Sequence, residues 1–341
     1  MARLLTTLAA LPSIFTTAKS FRDNPVIGSP TLNRLGLHSF RVTLADWIFK
    51  FRQACLAHLV PAEDRAAFRR DGFLVKRDYL APDLFAGVAA EVMSYEAEGW
   101  ECHQGDTITH RLLLDEEALA KLPAVRQMLE TPAFRGLMKW TGGVNEMPLF
   151  YIQRIHNHIM PSQRDDPQKV LHSDTFHPTM KAWFFIRDVT PETGPFTYAP
   201  GTHALTKRRL DWENARVQKI AAGGFKDAYS QKGSLRVLPR QGDLKALGIE
   251  GGQSMAVPAN TLVVADTHGF HARGQATGEI TRVEIWAYSR GNPFNPFVGF
   301  ETGWMRRIRH SLVHRWLDRQ ESQAQKAGKK PAWRRTTTIR A

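Results

Sequence analysis

Cysteine is scarce in this sequence, since only Cys55 and Cys102 occur among its 341 residues. A chain of this length does not depend on a single disulfide, and two thiols cannot supply a four-cysteine zinc site. The scarcity therefore excludes a disulfide-stapled scaffold and a thiolate metal centre. We expect a protein of the reducing cytoplasm.

Long hydrophobic runs are also missing. No stretch reaches the roughly 18 apolar residues that a transmembrane helix requires, so we expect no integral membrane protein. Residues 1–18 resemble a weak signal peptide, with Arg3 before an apolar stretch, but threonines and Pro12 interrupt that stretch. We interpret them as an ordinary N-terminal segment. Hydrophobic residues make up 43% of the chain, which is typical of a globular protein with a sizeable core.

Acidic residues are too few to balance the basic ones, and the excess is confined to the two ends. The chain has 46 Lys and Arg against 33 Asp and Glu, a net charge of +13. Residues 306–341 contribute +9 and residues 1–60 contribute +5, which leaves −1 for the middle of the chain. Basic ends attract nucleic acid, anionic lipid or an acidic partner, or they only keep a protein in solution.

Both ends contain an amphipathic helical pattern. Within 41–60 the apolar stripe is Leu44, Ile48, Phe51, Cys55 and Leu59, and within 304–317 it is Trp304, Ile308, Leu312 and Trp316. Basic helices that carry Trp either lie on a membrane surface or pack on the core of their own domain. A peripheral contact with an anionic membrane surface is therefore one reading of these ends. From Ala324 onward the polar composition predicts a loosely ordered tail.

The middle of the chain has a different pattern. Residues 62–98 read as helix, strand, helix, with Pro82 at the start of the second helix. After residue 147, short apolar segments alternate with turn residues, and the predicted strands are 148–156, 180–188, 195–199, 260–266 and 280–288. This pattern predicts a mainly β protein, a sandwich or barrel with flanking helices. Residues 204–258 look like a long insertion between strands that covers a site.

The triplet His172-Ser173-Asp174 is a candidate metal motif. On an extended strand, residues two apart point to the same face, so the imidazole and the carboxylate can meet one ion. A bare triplet of this kind arises readily by chance in a chain with 13 histidines. It needs a third ligand in a suitable context.

Residues 261–288 supply that context. An apolar strand leads to His268 and His271 in a glycine-containing turn, and a second strand carries Arg282. Two histidines and one carboxylate form the facial triad that binds Fe(II) and leaves open positions for a co-substrate and oxygen. A guanidinium binds the distal carboxylate of a keto-diacid with two parallel hydrogen bonds. Both His268 and His271 are candidates for the third ligand, and His177 and His203 remain open as pocket residues.

These residues resemble the phytanoyl-CoA dioxygenase family of iron(II)/2-oxoglutarate oxygenases. As in that family, an Arg follows the distal His by eleven residues, here His271 and Arg282, and this spacing is the reason for preferring His271 to His268. The phrases 192–195 and 200–203 and the phrase Asp71-Gly72-Phe73 also resemble the family. The likeness covers about 62–292.

The resemblance implies a double-stranded β-helix, or jelly roll, with Fe(II) held by His172, Asp174 and His271. It implies that 2-oxoglutarate and O2 are co-substrates, that Gln153 and Thr175 contact 2-oxoglutarate beside Arg282, and that succinate and CO2 are released as a substrate is hydroxylated. Related halogenating enzymes lack the carboxylate that Asp174 provides.

The implied domains are a basic N-terminal extension (1–60), the jelly-roll domain (61–300) with 204–258 as a lid, and a basic helix and tail (301–341). We expect a small-molecule or lipid-like substrate. DNA-repair members of the wider superfamily carry a second Arg at the position of Tyr288, which argues against nucleobase demethylation. Rival hypotheses are a catalytically silent binding module, a nucleic-acid binder acting through the basic ends, and a structural zinc site.

Overall fold

The computed structural model describes residues 7–158 and 166–339. Part of the signal-like N-terminal segment, residues 1–6, lies outside this range. The helices are α1 (Pro30–Arg34), α2 (Leu37–Cys55), α3 (Ala62–Asp71), α4 (Pro82–Ser94), α5 (Glu116–Ala120), α6 (Pro123–Glu130), α7 (Pro132–Gly142), α8 (Lys207–Ala221), α9 (Ala228–Gln231), α10 (Asp243–Leu247) and α11 (Gly303–Lys326). Of the helices in the described ranges, none is long and apolar enough to cross a membrane.

The strands form two antiparallel sheets. They are β1 (Phe73–Lys76), β2 (Ala97–Gln104), β3 (Thr107–Leu113), β4 (Leu149–His156), β5 (Met180–Phe185), β6 (Phe196–Tyr198), β7 (Gln253–Ser254), β8 (Thr261–Asp266), β9 (His271–Arg273), β10 (Thr281–Ser289) and β11 (Arg334–Ile339). The large sheet has the order β1-β8-β5-β10-β4-β3-β2-β11, and the small sheet has the order β7-β6-β9. The jelly-roll prediction and all five predicted strands are confirmed.

The large sheet separates two apolar clusters because its side chains alternate between its faces. On β5, Ala182 and Phe184 join the cluster that packs against the helices, whereas Trp183 and Phe185 join the cluster between the two sheets. The same alternation on the neighbouring strands turns polar residues, among them Gln153, inward toward the small sheet. The space between the sheets is therefore apolar around Trp183 and Phe185 and polar around Gln153.

Helix α2 is confirmed, but its buried face differs from the predicted stripe. The core face contains Val42, Ala45, Ile48 and Phe49 together with buried Arg41 and Arg52, while Phe51 is 48% exposed. Arg41 donates to the carbonyls of Ile14, Thr16 and Ala18, and Arg52 donates to that of Asn295. These long-range bonds allow arginines to occupy buried positions, which hydrophobic periodicity alone cannot anticipate.

The role of residues 204–258 as a lid stays a prediction. They contain α8, α9, α10 and β7, and none of them lines the two cavities described below. Instead, the Ser173 N–H donates to the Leu235 carbonyl at 2.9 Å, and the Val237 N–H donates to the Leu171 carbonyl at 2.8 Å. The insertion therefore supports the His172-Ser173-Asp174 segment from its outer side.

The C-terminal tail is more ordered than its composition predicts. Strand β11 pairs with β2, and Ile339 is buried. Arg334 and Arg335 form ion pairs with Glu101 and Glu98. Backbone pairing and ion pairs hold a polar strand that buries little apolar surface, so the expectation of a loosely ordered tail is wrong. The division into 1–60, 61–300 and 301–341 stays a prediction.

Candidate metal centre

The two candidate histidine ligands are held side by side by backbone hydrogen bonds. The His172 N–H donates to the His271 carbonyl at 2.9 Å, and the His271 N–H donates to the His172 carbonyl at 3.0 Å. His271 begins β9, so this pairing extends the small sheet by one bridge. Asp174 is fixed by its N–H, which donates to the Thr267 carbonyl. Ligands that are distant in sequence are thus brought together by the sheet.

The three side chains converge on one point. One atom from each of His172, Asp174 and His271 lies within 4.8 Å of the other two. Asp174 Oδ1 is 3.8 Å from His172 Nε2 and 3.8 Å from His271 Nε2. The space between these atoms fits one metal ion bound by two imidazole nitrogens and one carboxylate oxygen.

The hydrogen bonds of the two imidazoles fit a metal as well. His172 Nδ1 donates to the Val170 carbonyl at 2.7 Å, and His271 Nδ1 donates to the Gly269 carbonyl at 2.9 Å. Because Nδ1 carries the proton in each ring, each Nε2 presents its lone pair. Both Nε2 atoms are buried and have no hydrogen-bond partner among the described residues. Buried polar atoms without partners are rare, and a metal ion would satisfy both.

The charges around the triad favour the metal-binding protonation states. Burial lowers the pKa of both histidines, that of His271 to about 3, so the rings are neutral at pH 7. Burial alone would raise the pKa of the Asp174 carboxyl, but Lys181 and the two histidines hold it well below its usual range. Lys181 Nζ lies 2.6 Å from Asp174 Oδ2. The lysine therefore occupies one carboxylate oxygen and leaves Oδ1 facing the histidines.

None of the other open histidines lines the cavities at the triad. His268 is fully buried behind the site, with Nε2 3.7 Å from Glu213 Oε1. His177 is buried, and its Nδ1 donates to the Pro178 carbonyl. His203 lies under Gly72, where an added Cβ would collide with it. Of His268 and His271, the structure places His271 with His172 and Asp174.

A narrow cavity of about 80 Å³ lies beside the two histidines, between the sheets. Arg282 and Gln153, two of the predicted co-substrate residues, both line it. Arg282 Nε donates to Glu284 Oε2 at 2.8 Å, and Gln153 Nε2 donates to Glu284 Oε1 at 2.6 Å. A keto-diacid carboxylate bound to Arg282 would therefore share the guanidinium with Glu284. Thr175 is buried but lines neither this cavity nor the larger one.

A larger cavity of about 630 Å³ adjoins the triad at Asp174. Its lining combines aromatic and basic side chains: Trp100, Tyr151, Trp286, Tyr288, Trp316 and Trp333, with Arg111, Lys181, Arg273, Arg290 and Arg309. Asp174 is its one acidic lining residue in the described ranges. One wall is formed by α11 and by Trp333, which follow the jelly roll in the chain. The C-terminal segment therefore covers this cavity.

Three site residues were not predicted from the sequence, namely Lys181, Glu284 and Arg111. Glu284 had a detectable signal, because it lies two residues after Arg282 on one strand and so shares its face. Lys181 and Arg111 had none, since their positions depend on which strands pair. Strand β10 lies between β5 and β4, and β3 follows β4, which brings these residues to one face.

Several solved structures are similar to this one at low sequence identity. The epimerase SnoN in complex with Fe3+, alpha ketoglutarate and nogalamycin RO is 16% identical over 69% of this chain and 83% of its own, with a TM-score of 0.42. HygX from Streptomyces hygroscopicus with nickel and 2-oxoglutarate is 14% identical over 67% and 86%, with a TM-score of 0.43. EctD from S. alaskensis with bound Fe is 17% identical over 73% and 84%, with a TM-score of 0.40. No curated protein matches the sequence.

The sequence itself matches a family model. The model of the phytanoyl-CoA dioxygenase (PhyH) family matches residues 68–244, just over half of the chain. The match includes His172 and Asp174 and ends before His271. The predicted fold, enzyme class and cofactors, Fe(II) and 2-oxoglutarate, are confirmed at the level of the family. The chain belongs to the phytanoyl-CoA dioxygenase family of non-haem iron(II)/2-oxoglutarate-dependent enzymes.

Proposed function

We propose that the protein is an iron(II)/2-oxoglutarate-dependent dioxygenase that hydroxylates an unactivated C–H bond of a small-molecule or lipid-like substrate. The observation that carries this proposal is the pair of buried, unpartnered Nε2 atoms of His172 and His271, both 3.8 Å from Asp174 Oδ1. An intact carboxylate ligand is the reason for expecting hydroxylation. Bound Fe(II) and 2-oxoglutarate together supply the oxidising chemistry, with release of succinate and CO2.

The residues of the chain have separate tasks in this scheme. His172, His271 and Asp174 hold the metal, and Lys181 keeps Asp174 Oδ2 occupied so that Oδ1 alone faces the ion. Arg282 binds the distal carboxylate of 2-oxoglutarate, and Gln153 holds Glu284 beside it. The apolar residues between the sheets, among them Trp183 and Phe196, limit the access of water to this region.

The experiment that tests the proposal measures turnover of the co-substrate alone. Enzymes of this class slowly convert 2-oxoglutarate to succinate without their substrate, so the purified protein with Fe(II), ascorbate and O2 should form succinate. His172→Ala should abolish that succinate, whereas His103→Ala, which changes a histidine outside both cavities, should not. Absence of succinate from folded wild-type protein would contradict the proposal and favour a binding module.

We further propose that the outer face of α11 rests on an anionic membrane surface from which a lipid-like substrate enters. Trp304, Ile308, Leu312 and Trp316 are 63%, 40%, 56% and 58% exposed and follow one another at four-residue spacing. Arg315 and Arg319 share this face and have no carboxylate within ion-pair distance among the described residues. Leu312 and Trp316 also line the larger cavity, so the exposed stripe leads to its mouth. Helices with Trp and Arg on one face bind at the headgroup level of anionic bilayers.

The membrane proposal is tested by co-sedimentation with vesicles. The protein should sediment with phosphatidylcholine vesicles that contain phosphatidylglycerol and not with phosphatidylcholine alone. Trp304→Ser combined with Ile308→Ser should weaken the binding to vesicles, because it removes exposed apolar surface from α11. Neither residue lines the larger cavity, so the double variant leaves that cavity unchanged. Trp47→Ser on α2, which removes an equally exposed Trp, serves as the control. Failure of the wild-type protein to bind the anionic vesicles would refute this contact.

A further inference from the structure

Arg111 is a second basic residue beside the metal centre that the co-substrate scheme leaves unused. It lies on β3 and lines both the narrow and the larger cavity, so it stands where the two meet. In the sheet register it is opposite Gln153, which is in turn opposite Glu284. Arg111 Nε donates to Gln153 Oε1 at 2.7 Å. One hydrogen-bonded chain therefore runs from Arg282 through Glu284 and Gln153 to Arg111.

The guanidinium of Arg111 lies against two aromatic rings. Its central carbon is 3.7 Å from the ring centroid of Trp286 and 4.7 Å from that of Trp333. Cation–π contacts of this kind hold a guanidinium in place without using its hydrogen-bond donors. Because Nε is taken by Gln153, the two terminal nitrogens, Nη1 and Nη2, remain for another partner. The hydrogen bond from Nε and the two ring contacts thus hold the guanidinium in place before any ligand arrives.

Charge pairing sets Arg111 apart from most of its neighbours. Lys181 is paired with Asp174, Arg273 with Asp166, Arg282 with Glu284 and Arg309 with Glu301. Among the cations that line either cavity, Arg111 and the exposed Arg290 have no carboxylate within 4.0 Å in the described ranges. Burial lowers the pKa of Arg111 to about 10, so it remains charged at pH 7. Arg111 is half-buried, and a partly buried charge without a counter-ion carries a cost that an anionic ligand would reduce.

The two carboxylates of 2-oxoglutarate already have partners in the proposed function, one at the metal and one at Arg282. We propose, on the basis of that function, that the substrate carries its own carboxylate or phosphate, which binds Nη1 and Nη2 of Arg111. The apolar part of the substrate then packs against the aromatic wall of the larger cavity, formed by Trp100, Trp286, Trp316 and Trp333. Since Trp316 and Trp333 lie beyond the family match, this selectivity belongs to the C-terminal segment of the chain.

The test compares charged and neutral ligands of the same shape by calorimetry. 2-Naphthoate, 2-naphthyl phosphate and the neutral 2-naphthamide are titrated into protein with and without Fe(II) and 2-oxoglutarate, under anaerobic conditions. One of the two anions should bind about tenfold more tightly than the amide, the effect of one charge-assisted hydrogen-bonded pair, and the stronger anion identifies the group. Arg111→Gln should remove this preference, and Arg111→Lys should retain part of it. Arg187→Gln, at an exposed arginine outside both cavities, is the matched control.

The same variants separate a substrate site from a co-substrate site. The concentration of 2-oxoglutarate that half-saturates the Fe(II) protein should stay within about twofold in Arg111→Gln, since this residue is not needed for the distal carboxylate. Trp333→Ala provides a second variant outside the jelly roll, and it should weaken binding of the anion while leaving 2-oxoglutarate unaffected. Equal binding of the anions and the amide by wild-type protein would overturn the proposal. A large loss of 2-oxoglutarate affinity in Arg111→Gln would also overturn it, by assigning Arg111 to the co-substrate. The titrations without metal require no turnover, so they test the binding of an anion at Arg111 separately from the proposed oxygenase activity.

Discussion

Replacing Lys181 by Met should destabilise the metal-free protein. The same replacement should increase the gain in stability that the protein shows when a divalent metal is added. Lys181 is the counter-ion of Asp174 at 2.6 Å, and the two side chains are 21% and 17% exposed. Removing one partner of a fully buried ion pair costs about 3–5 kcal/mol, so this partly exposed pair should cost about 2 kcal/mol. For a chain of this length the loss corresponds to a fall of about 3 °C in Tm.

A bound divalent ion replaces the lost counter-charge. The difference between Lys181→Met and wild-type protein should therefore shrink when metal is added, because the ion neutralises Asp174 in both. Differential scanning fluorimetry with and without Co(II), a redox-stable substitute for Fe(II), measures this difference. Lys226→Met, at an exposed lysine, is the control. If Lys181→Met loses all stabilisation by Co(II), as Asp174→Ala should, then Lys181 is needed for metal binding itself and the reasoning is refuted.

Three further predictions follow from other contacts. Arg282→Ala should raise the half-saturating concentration of 2-oxoglutarate by about tenfold or more without loss of Co(II) binding, and unchanged saturation would contradict the assignment. The metal-free protein should become less stable to urea as the pH falls from 7 to 5. Burial lowers the pKa of His177 and His271 to about 3, well below that of a histidine in the unfolded chain. As the pH falls, the unfolded chain therefore takes up protons before the folded protein does, which favours unfolding. A free energy of unfolding that stays constant between pH 7 and 5 would refute the burial of neutral histidines. Arg41→Met should loosen the segment around Ala18 that Arg41 holds through carbonyl hydrogen bonds, which earlier proteolytic cleavage would show and unchanged cleavage would disprove.

The grouping of His172, Asp174 and His271 was predictable because its signal is local. His172 and Asp174 are two residues apart, so on an extended backbone they point to the same side, and the step of eleven positions from His271 to Arg282 crosses one turn and enters one strand. The strands themselves were predictable from short apolar segments between turn residues. Such patterns need no knowledge of what lies across the sheet.

The rest of the site depends on strand order, which the sequence does not display. Arg111 meets Gln153 because β3 lies beside β4, although 42 residues separate them in the chain. The expectation of a loosely ordered tail was wrong for a related reason, since composition does not reveal which surface a segment packs on. Residues 204–258 support the His172-Ser173-Asp174 segment from its outer side, while α11 and Trp333 cover the cavity.

The central claim is that His172, Asp174 and His271 hold a metal beside a 2-oxoglutarate site. The most direct test is to add Fe(II) and then 2-oxoglutarate to the protein without oxygen and to record the weak visible charge-transfer band of a chelated keto acid. We expect the band in wild-type protein, its loss in His172→Ala, and a requirement for much more 2-oxoglutarate in Arg282→Ala. Absence of the band from folded wild-type protein, or its survival in His172→Ala, would contradict the account.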